Sequence, residues 1–230
     1  MTKAKAAARR SGGSEESRLR SAVIDTARAM SDSGLSPGRS GNVSVRFEDG
    51  MLITPTGLAY ADIRPKDIVY VAADGTVPGK QKIPSSEWPF HVSAYQARPD
   101  MSAVVHTHSL HAVVLSCAGR SIPAFHYMVA VAGGTDIPLV PYAIFGSAEL
   151  AAHVARGLAE RRACLMAHHG AIAMGTTLAD ALALAHEVEV LAEQYVKLLA
   201  LGEPALLSEA DMAAVLERFK TYGQQRSDTD

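Results

Sequence analysis

The stretch Ala103-Val104-Val105-His106-Thr107-His108-Ser109 declares a strand and a chemistry together. Side chains alternate across a strand, so His106 and His108, two residues apart after an apolar run, project the same way from a strand end. Two imidazoles converging on one point suit a metal ion; two polar residues closing a strand is the plainer reading of the same pattern. A second segment echoes the first. Ala163-Cys164-Leu165-Met166-Ala167 reads as a buried strand ending at His168-His169-Gly170. Successive residues face opposite ways, so only one of His168 and His169 can easily join His106 and His108.

An acid stands between these two segments and the chain start. Pro84-Ser85-Ser86-Glu87-Trp88-Pro89 predicts a helix beginning, with serines at the cap, an acid in the first turn and proline near the start, and the helix runs to Arg98 before Pro99. Capping and dipole complementarity account for Ser85, Ser86 and Glu87. The same residues also describe an anion site at a helix N-terminus, with Glu87 at its mouth free for chemistry. His91 lies one helical turn after Glu87 and reads as a helix-face residue, with a ligand role left open.

Further upstream, Val43-Ser44-Val45-Arg46-Phe47 alternates as a strand, Asp49-Gly50 signals a hairpin, and Met51-Leu52-Ile53 follows. Antiparallel pairing brings the loop before the first strand, Gly41-Asn42, beside the loop after the second, Thr56-Gly57. Each is a turn in its own right; together they present backbone amides, a carboxamide and a hydroxyl to one spot, the inventory of an oxyanion or phosphate cradle.

The remaining elements frame these. Leu19 to Met30 predicts a first helix, Ile68 to Val71 a strand before the Asp74-Gly75 turn, and Leu110 to Ala118 a helix. Ile137 to Pro141 predicts a short strand, 148 to 160 an amphipathic helix opened by Ser147, Leu178 to Ala200 the longest helix, and Glu209 to about Tyr222 the last. His186-Glu187 lacks the His-Glu-x-x-His pattern and reads as ordinary helix surface.

Composition narrows the partner. With 230 residues, 48% hydrophobic, the chain can bury a substantial core, and one domain over 19–223 is expected, with a disordered basic extension over 1–18 and a flexible tail over 224–230. The net charge of -2, without a long basic run after the first twenty residues, leaves no electrostatic footprint for nucleic acid or a membrane surface, so the expected partner is a small molecule. Cys117 and Cys164, far apart in apolar segments, read as buried free thiols of a reducing compartment, and a cytoplasmic location is expected. Three histidines and one acid make a ligand set for Zn²⁺, and Gly41, Asn42, Thr56, Gly57, Ser85 and Ser86 could hold a phosphate beside it. Without a nucleotide P-loop or dinucleotide fingerprint, that pairing points to a small sugar phosphate.

The strings GNVSVRFEDGMLITPTG, PSSEWPFH, AVVHTHSLH, IPAFHYMVAVAGG, PYAIFGS, HHGAIA, AHEVEVLAEQY and LERFKTYG, in that order from Leu19 to Gly223, resemble the class II aldolase/adducin family, in particular its bacterial ketose 1-phosphate aldolases. The resemblance implies a three-layer α/β/α fold around a mostly antiparallel, mixed sheet, and a homotetramer with active sites at subunit interfaces. It implies reversible cleavage of a ketose 1-phosphate of the L-fuculose type to dihydroxyacetone phosphate and a short aldehyde such as L-lactaldehyde. The family's zinc ligands fall on Glu87, His106, His108 and His169, and its phosphate positions on the six loop residues already grouped. Tyr127 matches a tyrosine donated by the neighbouring subunit as an acid, and Phe145 and Tyr222 match residues that line or cover the pocket. Glu87 is then the expected base. Departures from the family pattern fall at Ser109-Leu110 and in Lys80-Gln81-Lys82, away from the ligands, and bear on aldehyde choice rather than on metal chemistry. Other ketose 1-phosphates, a sugar-phosphate epimerase or decarboxylase, and a non-catalytic adducin-like scaffold share the same architecture.

Overall fold

Several strand segments of this chain are apolar at every position, so both faces of the sheet they form must be covered. The computed structural model describes residues 3–221, with side chains from residue 14 onward. In chain order its elements are α1 (Lys3–Asp32), β1 (Asn42–Phe47), β2 (Gly50–Ile53), β3 (Val69–Ala72), α2 (Trp88–Ala97), β4 (Ala103–Thr107) and α3 (Leu110–Cys117). These are followed by a 3-10 segment (Tyr127–Ala132), β5 (Leu139–Val140), α4 (Ala148–Leu158), β6 (Ala163–Met166), β7 (Gly170–Gly175), α5 (Leu178–Leu199) and α6 (Glu209–Phe219). The strands form one seven-stranded sheet in the order β3-β2-β1-β4-β7-β6-β5. Only the β5–β6 pairing is parallel, so the sheet is mixed and mostly antiparallel, as the resemblance implies.

Strand alternation sorts the core into two layers. Val43, Val45, Ala103, Val105, Leu165, Ala171 and Ala173 pack with α1, α3 and α5 on one face. Met51, Ile53, Val69, Val104, Met166, Ile172 and Met174 pack with α2 and α4 on the other. Each large side chain removed from water, such as Phe90, contributes roughly 1.5–3 kcal/mol, which is what holds helices to both faces. The α2/α4 face has one polar break: on β1 the residues facing α2 are Asn42, Ser44 and Arg46, while Val43 and Val45 face the other way.

Three features depart from the expectation. The strand β7 was not anticipated, because Gly170-Ala-Ile-Ala-Met-Gly175 has neither polar alternation nor bulk; it is a central strand between β4 and β6, buried at every position. The β1–β2 turn is Glu48-Asp49, one residue earlier than Asp49-Gly50, and Glu48 takes φ 51° to make it. Helix α1 starts at Lys3 rather than Leu19, running through an alanine-rich stretch and Ser11-Gly12-Gly13. Tyr222 and the tail 224–230 lie outside the described residues.

Candidate active site

The register of two strand pairs builds the floor. Asn42, the first residue of β1, pairs with His106 on β4, and His106 turns toward α2 like Val104 before it. Its ring meets the edge of Phe90 on α2, with centroids 5.2 Å apart. His108 follows in the link to α3. Gly41 lies so close to this strand that an added Cβ would stand 2.6 Å from the His106 carbonyl oxygen and 2.2 Å from Ser36 Oγ, so only glycine lets the two segments meet.

Strand parity does not decide between His168 and His169. They do not end a strand; Ala167, His168 and His169 form the tight turn between β6 and β7, where Met166 pairs with Gly170. His168 adopts φ 55° and is exposed, its ring against Tyr142. His169 points inward. Its ring centroid is 4.9 Å from those of both His106 and His108, and these two are 4.8 Å apart, so the three imidazoles form a nearly equilateral triangle.

Glu87 closes the cluster from α2. It is the helix N-cap, with φ -98° and ψ 7°, yet its side chain makes no capping bond. Instead Oε1 lies 2.8 Å from His169 Nε2, and Oε2 lies 3.3 Å from His106 Nε2 and accepts a 2.7 Å hydrogen bond from Asn42 Nδ2. The four ligand atoms of Glu87, His106, His108 and His169 all lie within 4.8 Å of one another. Burial works against ionising Glu87, but the charge of His106 and the hydrogen bonds from His106 and His169 outweigh it, holding the carboxyl far below its usual range. Burial, reinforced by His106 and His169, pushes the His108 imidazole down to about 3, so it presents a lone pair.

The donor chemistry fits a divalent cation. His106 Nδ1 lies 2.9 Å from the Ala171 carbonyl oxygen, which must be accepting its hydrogen, so Nε2 is the nitrogen turned into the cluster. His106 Nε2 and His108 Nε2 approach to 2.9 Å, a contact that two neutral lone pairs tolerate only with a proton or cation between them. Three nitrogens and one carboxylate, with Glu87 and His106 buried and His108 and His169 partly so, are the borderline-hard set that zinc and its neighbours prefer.

Beside the cluster is a cavity of about 380 Å³ lined by Gly41, Asn42, Thr56, Gly57, Ser85, Ser86, Glu87, His108, His169 and Phe145. The loops meet because Thr56 N donates to the Ile83 carbonyl and Ser85 N to the Thr54 carbonyl, laying 83–86 along 54–57. Thus all six expected phosphate residues border one space. His106 lies beneath it, and Tyr127, half-exposed on the 3-10 segment, is not among the residues lining it. Sequence reasoning missed Arg39, which lines the cavity and donates to the Gly57 carbonyl at 3.0 Å, and Tyr60, whose hydroxyl donates to the Gly41 carbonyl. It also read His91 only as a helix-face residue with a ligand role open, whereas His91 is fully buried and bonded to Asn42 and Ser44. The signal was there: Glu87, His91 and Tyr95 recur at four-residue spacing on α2, opposite alternate polar residues on β1.

A three-layer α/β/α fold with a carboxylate and three imidazoles gathered beside small-residue loops defines a scaffold that could hold a metal next to a small anion. The model of the Class II Aldolase and Adducin N-terminal domain matches residues 21–196, and the chain belongs to that family. It is similar to the 5-methylthioribulose-1-phosphate/5-deoxyribulose-1-phosphate aldolase of Rhodospirillum rubrum, at 55% identity over 89% of this chain and 92% of the relative. It is similar to the L-fuculose phosphate aldolase of Escherichia coli K12 at 52% identity, over 91% of this chain and 97% of the relative. A solved L-fuculose 1-phosphate aldolase superposes with a TM-score of 0.85 at 36% identity, covering 88% of this chain and 96% of that one. The chain is a class II aldolase, a carbon–carbon lyase of the kind that uses a divalent metal.

Proposed function

We propose that this protein is a zinc-dependent aldolase that reversibly cleaves a ketose 1-phosphate to dihydroxyacetone phosphate and a short aldehyde. The observation that carries the reading is the placement of Glu87, His106, His108 and His169 around one point at the wall of a cavity whose other side is Gly41, Thr56, Gly57, Ser85 and Ser86. When bound, the cation supplies Lewis-acid stabilisation of the charge that develops on the substrate's carbonyl oxygen. The chain's residues do the rest. The loop amides and hydroxyls, with Arg39 at the rim, hold the phosphate and fix the triose against the cluster. In the direction of addition Glu87 takes the proton from the hydroxymethyl carbon, and in cleavage it returns it. In the cleavage direction a second group must remove the proton of the hydroxyl that becomes the aldehyde oxygen; Tyr127 of a neighbouring subunit fills that role.

The assembly part of the reading rests on surface chemistry. Tyr142, Ile144 and Phe145 stand exposed around the cavity mouth, Phe145 at 61%, and Leu110, Val114 and Tyr127 are also exposed. Apolar groups grouped in this way suit burial against other copies, and a homotetramer would carry Tyr127 to a neighbour's cavity. Light scattering of the purified protein tests it, a monomer being the contrary result. Cys117 and Cys164 are both free, Cys117 exposed rather than buried as expected, and free thiols support a reducing, cytoplasmic place of work; no helix among the described residues is long and apolar enough to cross a membrane.

Two aldehydes compete. L-fuculose 1-phosphate would release L-lactaldehyde; the relative at 55% identity favours a 5-methylthio- or 5-deoxypentulose 1-phosphate, and the 5-deoxy compound would release acetaldehyde. One methyl or hydroxyl on the aldehyde changes discrimination by only ~1–3 kcal/mol. The deciding experiment offers a panel of ketose 1-phosphates with a coupled reductase for triose phosphate, with and without chelator. Release from at least one compound, abolished by chelation, is expected; no release from any, with metal bound, would turn the reading toward an epimerase.

A further inference from the structure

Beneath Glu87 lies a row of buried polar side chains that cleavage chemistry does not by itself require. Glu87 Oε2 accepts from Asn42 Nδ2 at 2.7 Å, Asn42 Oδ1 is 2.5 Å from His91 Nε2, His91 Nδ1 is 2.7 Å from Ser44 Oγ, and Ser44 Oγ is 2.8 Å from the Tyr95 hydroxyl. All five side chains are buried: Glu87 is 6% exposed, Asn42 3%, His91 and Ser44 0% and Tyr95 5%. The His91 ring is stacked on Phe90, with centroids 5.0 Å apart and planes at 18°, so it cannot readily swing away.

The direction of every bond in the row follows from its end. A carboxylate only accepts, so Asn42 must turn its NH₂ toward Glu87. That leaves Asn42 Oδ1 facing His91, which must therefore carry its hydrogen on Nε2. His91 Nδ1 is then a bare acceptor, and Ser44 must give it its single hydrogen. Ser44 Oγ in turn accepts from Tyr95, whose hydroxyl is also 3.5 Å from the Ser102 carbonyl. We propose that His91 is a positioning residue for the reaction: as the Nε2–H tautomer that the row requires, with Ser44 satisfying Nδ1, it donates to Asn42 Oδ1 and so holds the carboxamide with an N–H, not the oxygen, presented to Glu87. A reversed row would set the Asn42 oxygen against the Glu87 carboxylate. Asn42 would thereby act on the base more than on the substrate's phosphate, although it also borders the cavity.

The inference rests on Glu87 being the base, and the tests separate the two. The first is direct: imidazole ¹⁵N shifts of the full-length protein, metal-free and zinc-loaded, should report His91 as the Nε2–H tautomer, and an Nδ1–H tautomer would overturn the proposal. The second is kinetic. His91→Phe keeps the stack on Phe90 but removes both nitrogens, and should lower kcat by about 10–100-fold with KM little changed, as loss of an orienting partner does elsewhere. His91→Gln restores a donor toward Asn42 and should recover most of that loss. Ser44→Ala leaves His91 Nδ1 without its hydrogen-bond donor and should loosen the row, giving an intermediate kcat; this variant and the tautomer assignment decide the matter even if His91→Phe does not fold. Unchanged kcat with a raised KM in the His91 and Ser44 variants would show that Asn42 serves the phosphate, and would sink the inference. A fully active Glu87→Gln would instead remove the reading of Glu87 on which it stands.

Discussion

Helices α2 and α4 lie together on the same face of the sheet and begin with similar residues, serine followed by an acid within two positions, yet only one start is used for stability. At α4, Ser147 is the N-cap with extended backbone, its Oγ accepting from Leu150 N at 3.1 Å, and Glu149 sits in the first turn where the helix dipole favours it. At α2 the N-cap is Glu87, its backbone is outside the usual cap region, and its carboxylate ignores the helix for Asn42, His106 and His169. A good cap is worth about 0.5–2 kcal/mol, so α2 forgoes a contribution that α4 keeps. The contrast shows where folding and chemistry compete for one residue: a cap position that withholds its side chain from the helix marks a site.

The sharpest way to break the contrast is Glu87→Gln. It should cut kcat by ~10²–10⁴-fold and also lower the thermal midpoint, since the ionised carboxylate is held by its neighbours in the folded state and belongs to the cation's ligand set. Wild-type turnover in that variant would make the start of α2 as ordinary as that of α4. Next in size is the cation. At a free concentration near 100 times its dissociation constant, a divalent ion that binds only the folded chain stabilises by about 2.7 kcal/mol, so chelation should lower the melting midpoint by roughly 5–10 °C. His169→Ala should already show the lowered midpoint and no longer respond to chelator; an undiminished response would place the ion elsewhere. Replacing Ser85 and Ser86 together by alanine should raise KM for the ketose 1-phosphate about tenfold with kcat nearly kept, as expected when hydrogen bonds to a charged ligand are lost. A pure stability loss there would return both serines to capping. The smallest effect belongs to α4. Ser147→Ala should lose ~1 kcal/mol of stability, with kcat/KM unaltered, and a change in kcat would contradict the purely structural role of that cap.

What could be read in advance depended on whether a signal was local. His106-x-His108 after an apolar run specified a strand and a shared direction, because alternation in a strand is a local constraint. Gly41-Asn42 and Thr56-Gly57 were correctly placed as neighbours, since a hairpin sets the register of its own ends. The resemblance chose His169 over His168, and the structure gathers His169 with Glu87, His106 and His108, but strand parity is not what turns it inward: a three-residue turn with His168 at positive φ directs the pair, and no periodic pattern announces it. β7 was invisible because small residues buried on both sides carry no alternation. His91 was misread because its partners are on another element; four-residue spacing along α2 says only that Glu87, His91 and Tyr95 share a face, not that the opposing strand face is polar.

From its own residues the chain determined the kinds of donor atom available, the strands that end in them, the loops small enough to admit an anion and, through ordered motifs, the family. Only the tertiary structure decided that Glu87 spends its carboxylate on imidazoles instead of its helix, and that Asn42 leans on that carboxylate with His91 behind it. The physical reason is distance along the chain. Periodicity governs neighbours a few residues apart, whereas the contacts of Asn42 with Glu87 and His91 span 45 and 49 residues and exist only once β1, β4 and α2 are packed against one another.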